Sequence, residues 1–236
     1  MKGKSGGDGG AGQTSQACKT KGLPQRVCQV RYSDANTMTP DRIPTPDKEQ
    51  IALLEVFDRL DLKHIQLVAT AEQARQALSD LSHERALGFD TESKPTFAKN
   101  EASTGPHIVQ LSTSQKAWIF QLEDAECRRC VGVLLEAKDI VKAGFGLGDD
   151  KKRIVYKLGA DLQGVLDLNA VFNARGYRKD MGVRGAVAVV FNKRFIKSKK
   201  AATSNWANPQ LSEAQLVYAA NDAYAAMRVY TALGLP

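Results

Sequence analysis

Two acidic residues stand two positions apart at the end of an apolar run, in the segment from Gly88 to Ser93. Residues i and i+2 of a strand project from the same face, so Asp90 and Glu92 are expected to lie side by side. Neighbouring carboxylates repel each other unless a cation lies between them, and Mg²⁺ and Mn²⁺ prefer oxygen ligands. The pair therefore fits either a divalent-metal site or an ordinary strand end exposed to solvent.

Two further segments carry candidate carboxylates. The glycines from Gly144 to Gly148 have GxGxG spacing rather than GxGxxG, which argues against a Rossmann-type oxidoreductase. They predict a tight strand-to-helix turn that brings Asp149 and Asp150 to a helix start, where acids also serve as simple caps. Near the carboxyl end, Tyr218 and Asp222 are four residues apart and share one face of a predicted helix.

The elements that must position these side chains follow from periodicity in the first half of the chain. Apolar residues between Ile51 and Leu60 predict a helical extension over residues 48–62. A strand is predicted at 64–68, and Thr70 is predicted to cap a helix that ends near Leu81. Two β-rich runs, 107–113 and 117–122, are expected to form an antiparallel meander with the strand that contains Asp90.

The second half alternates between helices and strands. A helix is predicted at 125–136, and short strands are predicted at 140–144 and 164–168. Ser212 and Gln215 form a capping-box pattern that starts a helix running to about Leu233. This order predicts a mixed α/β architecture in which helices pack on a partly antiparallel sheet.

Positive charge is concentrated in one region of the chain. The net charge is +7, and between Arg175 and Lys200 the only acidic residue is Asp180. A local basic strip suits a surface that binds a polyanion, although a solvated loop has the same composition. The basic residues of the strip are Arg175, Arg178, Lys179, Arg184, Lys193, Arg194, Lys197, Lys199 and Lys200.

Length and composition limit the class of protein. The 236 residues suit one domain at 48–236 after a flexible tail at 1–47 that is rich in Gly, Ser, Thr, Gln and Pro. Four cysteines are too few for a disulfide framework in a chain of this size, and the CxxC pair Cys127 and Cys130 lacks a second ligand pair. No apolar run is long enough to span a bilayer, and the first residues lack a secretory segment. We therefore expect an intracellular, cytoplasmic protein without a membrane partner.

Together, the motifs resemble the DEDD superfamily of 3′–5′ exonucleases, in the branch with tyrosine in its last motif. The resemblance rests on Asp90-x-Glu92, on Gly144-x-Gly146-x-x-x-Asp150, and on Tyr218-x-x-x-Asp222 after Ser204-Asn205-Trp206. It extends over roughly residues 64–236 and is similar to the exonuclease domain of the Werner syndrome helicase and to ribonuclease D. It implies a ribonuclease H-like fold with a five-stranded mixed sheet flanked by helices.

The resemblance also implies a mechanism. It assigns one divalent ion, Mg²⁺ or Mn²⁺, to Asp90, Glu92 and Asp222, a second to Asp90 and Asp150, and the orientation of the attacking water to Tyr218. The products would be nucleoside 5′-monophosphates cut from DNA or RNA 3′ ends, by the domain alone or with a protein partner. The alternative is a module of the same fold that binds nucleic acid without turnover. The residues expected to bind nucleic acid are Lys193, Arg194, Lys197, Lys199, Lys200 and Trp206.

Overall fold

A mixed sheet of six strands forms the centre of the fold. The computed structural model describes residues 43–96, 103–177 and 180–235. The predicted flexible tail lies outside the described residues up to position 42. In space the strands follow the order β1-β4-β3-β2-β5-β6. They are β1 (Ile65–Val68), β2 (Ala86–Glu92), β3 (Ile108–Ser112), β4 (Ala117–Gln121), β5 (Val141–Gly144) and β6 (Val165–Asp167).

The pairing of the strands confirms the predicted meander, since β2 with β3 and β3 with β4 are antiparallel. The pairs β1 with β4, β2 with β5 and β5 with β6 are parallel. The expected count of five strands is wrong for this chain. The short edge strand β6 pairs in register with Lys142, Ala143 and Gly144 of β5 and so adds a sixth strand.

Helices cover both faces of the sheet. The predicted capping box of Ser212 with Gln215 is formed, and Thr70, the predicted N-cap of α2, forms a second capping box with Gln73. The helices are α1 (Lys48–Ala52), α2 (Ala71–Leu81), α3 (Ala125–Glu136), α4 (Gly148–Leu158), α5 (Leu168–Ala174), α6 (Gly182–Phe191), α7 (Lys199–Ala202) and α8 (Glu213–Ala232). None of the described helices combines the length and the apolar character that a bilayer-spanning segment requires.

The predicted helix over 48–62 is much shorter in the structure, because α1 ends at Ala52. From Leu53 to Asp61 the backbone is not helical and bonds to distant segments: the Phe57 amide donates to the Arg194 carbonyl, and the Leu60 amide donates to Asn221 Oδ1. These bonds bury Phe57 and Leu60, whereas Leu53 is 88% exposed. The apolar spacing therefore predicted the burial of Phe57 and Leu60 correctly, but neither the exposure of Leu53 nor the backbone conformation.

Successive side chains of β2 point to opposite faces of the sheet and so belong to two different apolar layers. Leu87 and Phe89 belong to the layer under α2, α3 and α4, whereas Ala86 belongs to the layer under α8 and α6. Gly88, Asp90 and Glu92 therefore face α8. Helix α8 lies so close to β2 that a Cβ atom at Gly88 would be 1.9 Å from the carbonyl oxygen of Ala223. This close packing brings the middle of α8 next to the acidic end of β2.

Candidate active site

Three of the predicted acidic side chains meet where β2 ends beneath α8. Asp90, Glu92 and Asp222 each offer a carboxylate oxygen, and these oxygens all lie within 4.8 Å of one another. Asp90 and Glu92 come from one face of β2, and Asp222 comes from α8, where the residue is 4% exposed. The geometry is that of an oxygen-rich site able to bind a hard divalent cation.

Burial raises the pKa values of all three groups, and repulsion between the carboxylates raises those of Asp90 and Glu92 further. The pKa of Asp90 is raised to about 8 by burial and by the charge of Asp222. The pKa of Glu92 is raised to about 9 by burial and by the charges of Asp90 and Asp222. Burial also raises the pKa of Asp222. A bound cation would relieve the repulsion between these carboxylates and favour their ionised forms.

Lys197 is part of this carboxylate group rather than of an exposed basic surface, where it had been predicted. Its Nζ lies 2.7 Å from Asp222 Oδ2 and 5.2 Å from the centre of the Tyr218 ring. Burial by itself would lower the pKa of Lys197, but Asp222, Asp90 and Tyr218 raise it above its ordinary value. Lys197 is therefore a charged ammonium in direct contact with a candidate metal ligand.

Asp150, the fourth predicted carboxylate, lies outside that group of three. It is in the first turn of α4, and its Oδ1 accepts a hydrogen bond of 2.6 Å from Thr91 Oγ1. Burial raises the pKa of Asp150, while the Thr91 hydrogen bond acts in the opposite direction. Asp149 is exposed, so the structure brings Asp150 rather than its neighbour to the tip of β2.

Two residues that support the site were missed by sequence reasoning. Thr91 stands between Asp90 and Glu92 and projects towards α4, a position that strand alternation could have indicated. Asp167 accepts hydrogen bonds from the amides of Gly146 and Leu147, at 3.2 and 3.1 Å. The Asp167 carboxylate thereby fixes the turn that leads into α4 and orients Asp150.

Trp206 supports Tyr218 from within the core. The two ring centres are 5.9 Å apart, and Trp206 is 1% exposed. The prediction that Trp206 contacts nucleic acid does not fit this position, because its indole is covered by the protein. Its packing instead holds Tyr218, which is 8% exposed, against the carboxylates.

The other predicted nucleic-acid contacts divide into two kinds. Lys193 forms an ion pair with Asp58 at 3.0 Å, and Arg194 donates to the carbonyl of Ala52 at 2.8 Å. These two residues hold the amino-terminal segment, defined as residues 48–62, against the rest of the domain. Lys199 and Lys200 are exposed on α7 and remain predicted contacts. Arg178 and Lys179 of the basic strip lie outside the described residues.

A cavity of about 530 Å³ surrounds the carboxylates. Its wall includes Asp90, Glu92, Lys197, Tyr218 and Asp222. Ligand cavities commonly have volumes of roughly 300–1,000 Å³, so one nucleotide is a suitable occupant by size.

Comparison with known protein families assigns the chain to one of them. The sequence profile of a family described as 3′–5′ exonuclease matches residues 65–235 and so contains all five predicted catalytic positions. The chain belongs to the 3′–5′ exonuclease family. This exonuclease chain is 32% identical over 157 residues to the mouse protein named "Bifunctional 3′-5′ exonuclease/ATP-dependent helicase WRN". That alignment covers 65% of this chain and only 11% of the mouse protein.

Solved structures show that the exonuclease chain has the predicted ribonuclease H-like fold. The EXO domain of Nibbler from Aedes aegypti superposes with a TM-score of 0.62 at 22% identity, over 74% of this chain and 89% of that one. The complex of Trypanosoma brucei RNase D with U12 RNA superposes with a TM-score of 0.64 at 21% identity, over 72% and 62% of the two chains. Similarity at this level of identity shows the fold.

Proposed function

We propose that this exonuclease domain removes nucleoside 5′-monophosphates from the 3′ ends of nucleic acid with the help of two divalent cations. The observation that carries the proposal is the group formed by Asp90, Glu92 and Asp222, whose oxygens lie within 4.8 Å of one another in a cavity of nucleotide size. Membership of the 3′–5′ exonuclease family supports the polarity of the reaction. Both DNA and RNA fit this description, because each has a 3′-hydroxyl end and the same phosphodiester linkage.

The residues at the site fit divalent cations. Asp90, Glu92 and Asp222 would hold one ion, since their oxygens lie close together and a bound cation relieves the repulsion that raises the pKa values of Asp90 and Glu92. Asp90 and Asp150 would hold the second, with Thr91 holding Asp150 at the end of β2. When bound, such ions neutralise the charge of the scissile phosphate and lower the pKa of a water molecule.

Tyr218 would orient the attacking water rather than remove its proton. Burial and the charge of Asp222 raise the pKa of Tyr218 above that of an ordinary phenol. A neutral phenol at physiological pH donates or accepts a hydrogen bond but is a poor base. Packing against Trp206 restricts the ring and thereby fixes the direction of its hydroxyl group.

Lys197 would provide positive charge for the scissile phosphate. Its ammonium already lies among the carboxylates, on the wall of the cavity where the phosphate must enter. A divalent ion bound to Asp222 would compete with this ion pair, so Lys197 would then be available to the substrate. The flexible lysine stem permits such a change of partner without movement of the backbone.

The test compares Asp90→Asn with Asp149→Asn on a 5′-labelled oligonucleotide in the presence of Mg²⁺ or Mn²⁺. Asp90→Asn removes a ligand shared by both ions, and even outer-sphere partners of metal ligands change activity by about 10- to 100-fold. We expect digestion to fall by more than about a hundredfold. Asp149→Asn changes the same kind of group at an exposed position and should retain activity. Full activity of Asp90→Asn with normal folding would exclude the assigned site.

A nucleic-acid binding module without turnover is the second candidate. The ion pair between Lys197 and Asp222 favours it, because a permanently bound ammonium would neutralise a candidate metal ligand. Purified wild-type protein separates the two functions. Digestion that requires a divalent cation and stops when EDTA is added supports the exonuclease, whereas binding without digestion supports the module.

A further inference from the structure

A second cavity adjoins the carboxylate cavity and shares Lys197 with it. Its volume is about 490 Å³, and it lies between α1, the start of α6 and the segment that precedes α7. Consecutive residues at the start of α6 divide between the two cavities, with Val183 on the wall of the first and Arg184 on the wall of the second. The two cavities are therefore neighbours, and Lys197 forms part of the wall of each.

The charge of the second cavity favours an anion. Lys48, Arg184, Arg194 and Lys197 all line it, and within the described parts of the chain its lining contains no acidic residue. Arg184 and Arg194 each use one guanidinium nitrogen for a backbone carbonyl, of Lys197 and Ala52 respectively. Arg194 Nε is buried and has no hydrogen-bond partner among the residues that the structure describes. A buried donor without a partner is unfavourable unless a ligand or water satisfies it.

The rest of the lining is apolar. Ile51 and Ile196 form part of the wall, and Ile196 is 44% exposed. Several cations beside an exposed apolar surface match the two parts of a nucleotide, which are a charged phosphate and a flat base. A free phosphate would use the cations alone and leave the apolar wall in contact with water.

We propose that this second cavity binds a nucleotide on the 5′ side of the scissile phosphate. Lys48 and Arg184 contact its phosphate, and Ile51 and Ile196 contact its base. The orientation of the strand depends on the proposed exonuclease function, since the 3′-terminal nucleotide occupies the carboxylate cavity. The amino-terminal segment, which the sequence motifs do not include, thereby becomes part of the substrate path.

The experiment measures binding of a labelled single-stranded oligonucleotide by fluorescence anisotropy in EDTA, so that no turnover is needed. It compares wild-type protein with Lys48→Gln and Lys138→Gln at several salt concentrations. Lys138 is exposed and precedes β5, at the opposite end of the sheet from the carboxylates, so its variant controls for the loss of one positive charge. Each phosphate contact on a single strand contributes about 0.7 to the slope of log affinity against log salt.

We expect Lys48→Gln to weaken binding about fivefold near 0.1 M salt and to reduce the salt slope by about 0.7, with Lys138→Gln close to wild type. Ile51→Ser should weaken binding without changing the slope, because it removes an apolar contact and no charge. Equal behaviour of Lys48→Gln and Lys138→Gln, or no binding by wild-type protein, would overturn the inference. Selective loss of affinity in Lys48→Gln, combined with no digestion by wild-type protein, would support the cavity and reject only the exonuclease proposal.

Discussion

The chemistry of the site depends on three carboxylates that the fold forces together at the end of β2. Asp90 and Glu92 are adjacent because strand alternation requires it, and Asp222 joins them because α8 packs closely on Gly88. Burial raises the pKa values of all three acids, and the neighbouring carboxylates raise those of Asp90 and Glu92 further. The protonation of the metal-free site is therefore linked to the stability of the whole domain.

This linkage predicts how the stability of the metal-free protein depends on pH. Asp90 and Glu92 titrate at about 8 and about 9 in the fold but near 4 in an unfolded chain, so the folded state keeps protons that the unfolded state has released. Stability in EDTA should therefore fall as pH rises from about 5 to about 9. Thermal unfolding followed across this range gives the measurement.

Two variants test the origin of that pH dependence. Asp90→Asn removes one titrating group and should flatten the profile, whereas Asp149→Asn should leave it unchanged. Excess Mg²⁺ should reverse the trend, because metal binding requires ionised ligands. A wild-type profile in EDTA that is flat or rises over this range would contradict the assigned cause of the raised pKa values.

At the residue scale, the sequence was sufficient to identify acids within local motifs but not their partners. Spacing along a strand pairs Asp90 with Glu92, and spacing along a helix pairs Tyr218 with Asp222. The choice of Asp150 over Asp149 came from the resemblance to the exonuclease superfamily. The hydrogen bond from Thr91 to Asp150 and the ion pair of Lys197 with Asp222 join residues far apart in the chain, and no periodicity encodes them. The burial of Trp206 likewise depends on contacts that only the folded chain makes.

At the scale of elements, the packing of α8 on β2 determines whether the site can form. The sheet presents a glycine where the helix crosses it, and α8 presents alanines, of which Ala219, Ala220 and Ala223 are fully buried. Small side chains on both surfaces permit backbone contact. Asp222, next to Ala223, is thereby brought within reach of the strand.

Gly88→Ala should separate these two elements. The added Cβ would lie 1.9 Å from the carbonyl oxygen of Ala223. Because this clash is with backbone rather than with a flexible side chain, α8 as a whole must move away from β2. We expect a loss of about 1–3 kcal/mol in the free energy of unfolding, together with loss of metal binding as Asp222 shifts. Denaturant unfolding and isothermal titration with Mn²⁺ provide the two measurements.

Gly132→Ala in α3 is the matched control for that substitution. Among the residues that the structure describes, its new Cβ would meet the Cβ of Ala160 alone, at 3.7 Å, which is an ordinary contact. Alanine favours a helix by up to about 1 kcal/mol over glycine, so this variant should be as stable as wild type or more stable. Equal unfolding free energies for the two variants would show that close packing at Gly88 is not what positions α8.

At the scale of the whole molecule, the amino-terminal segment is integrated into the domain although its conformation was predicted wrongly. The apolar spacing from Ile51 to Leu60 fits a helix, but only five residues are helical. The Asn221 side chain accepts a hydrogen bond from the Leu60 amide and donates one to the Leu60 carbonyl, and so fixes a non-helical backbone there. The two residues are 161 positions apart. Local sequence can mark which side chains are apolar, whereas tertiary contacts determine the backbone that buries them.

Phe57→Ala tests whether this segment contributes to the stability of the domain, as the predicted boundary at residue 48 requires. Phe57 is 3% exposed, and its ring lies 5.1 Å from Phe191 and 6.2 Å from Tyr224, between centres. Removing a buried phenyl group costs about 3–5 kcal/mol, so the free energy of unfolding should fall by about that amount in one cooperative transition. Leu53→Ala, at a position 88% exposed, should change it by less than about 0.5 kcal/mol. If both variants unfold like wild type, the segment is an appendage, and a nucleotide cavity walled by Lys48 and Ile51 loses its structural basis.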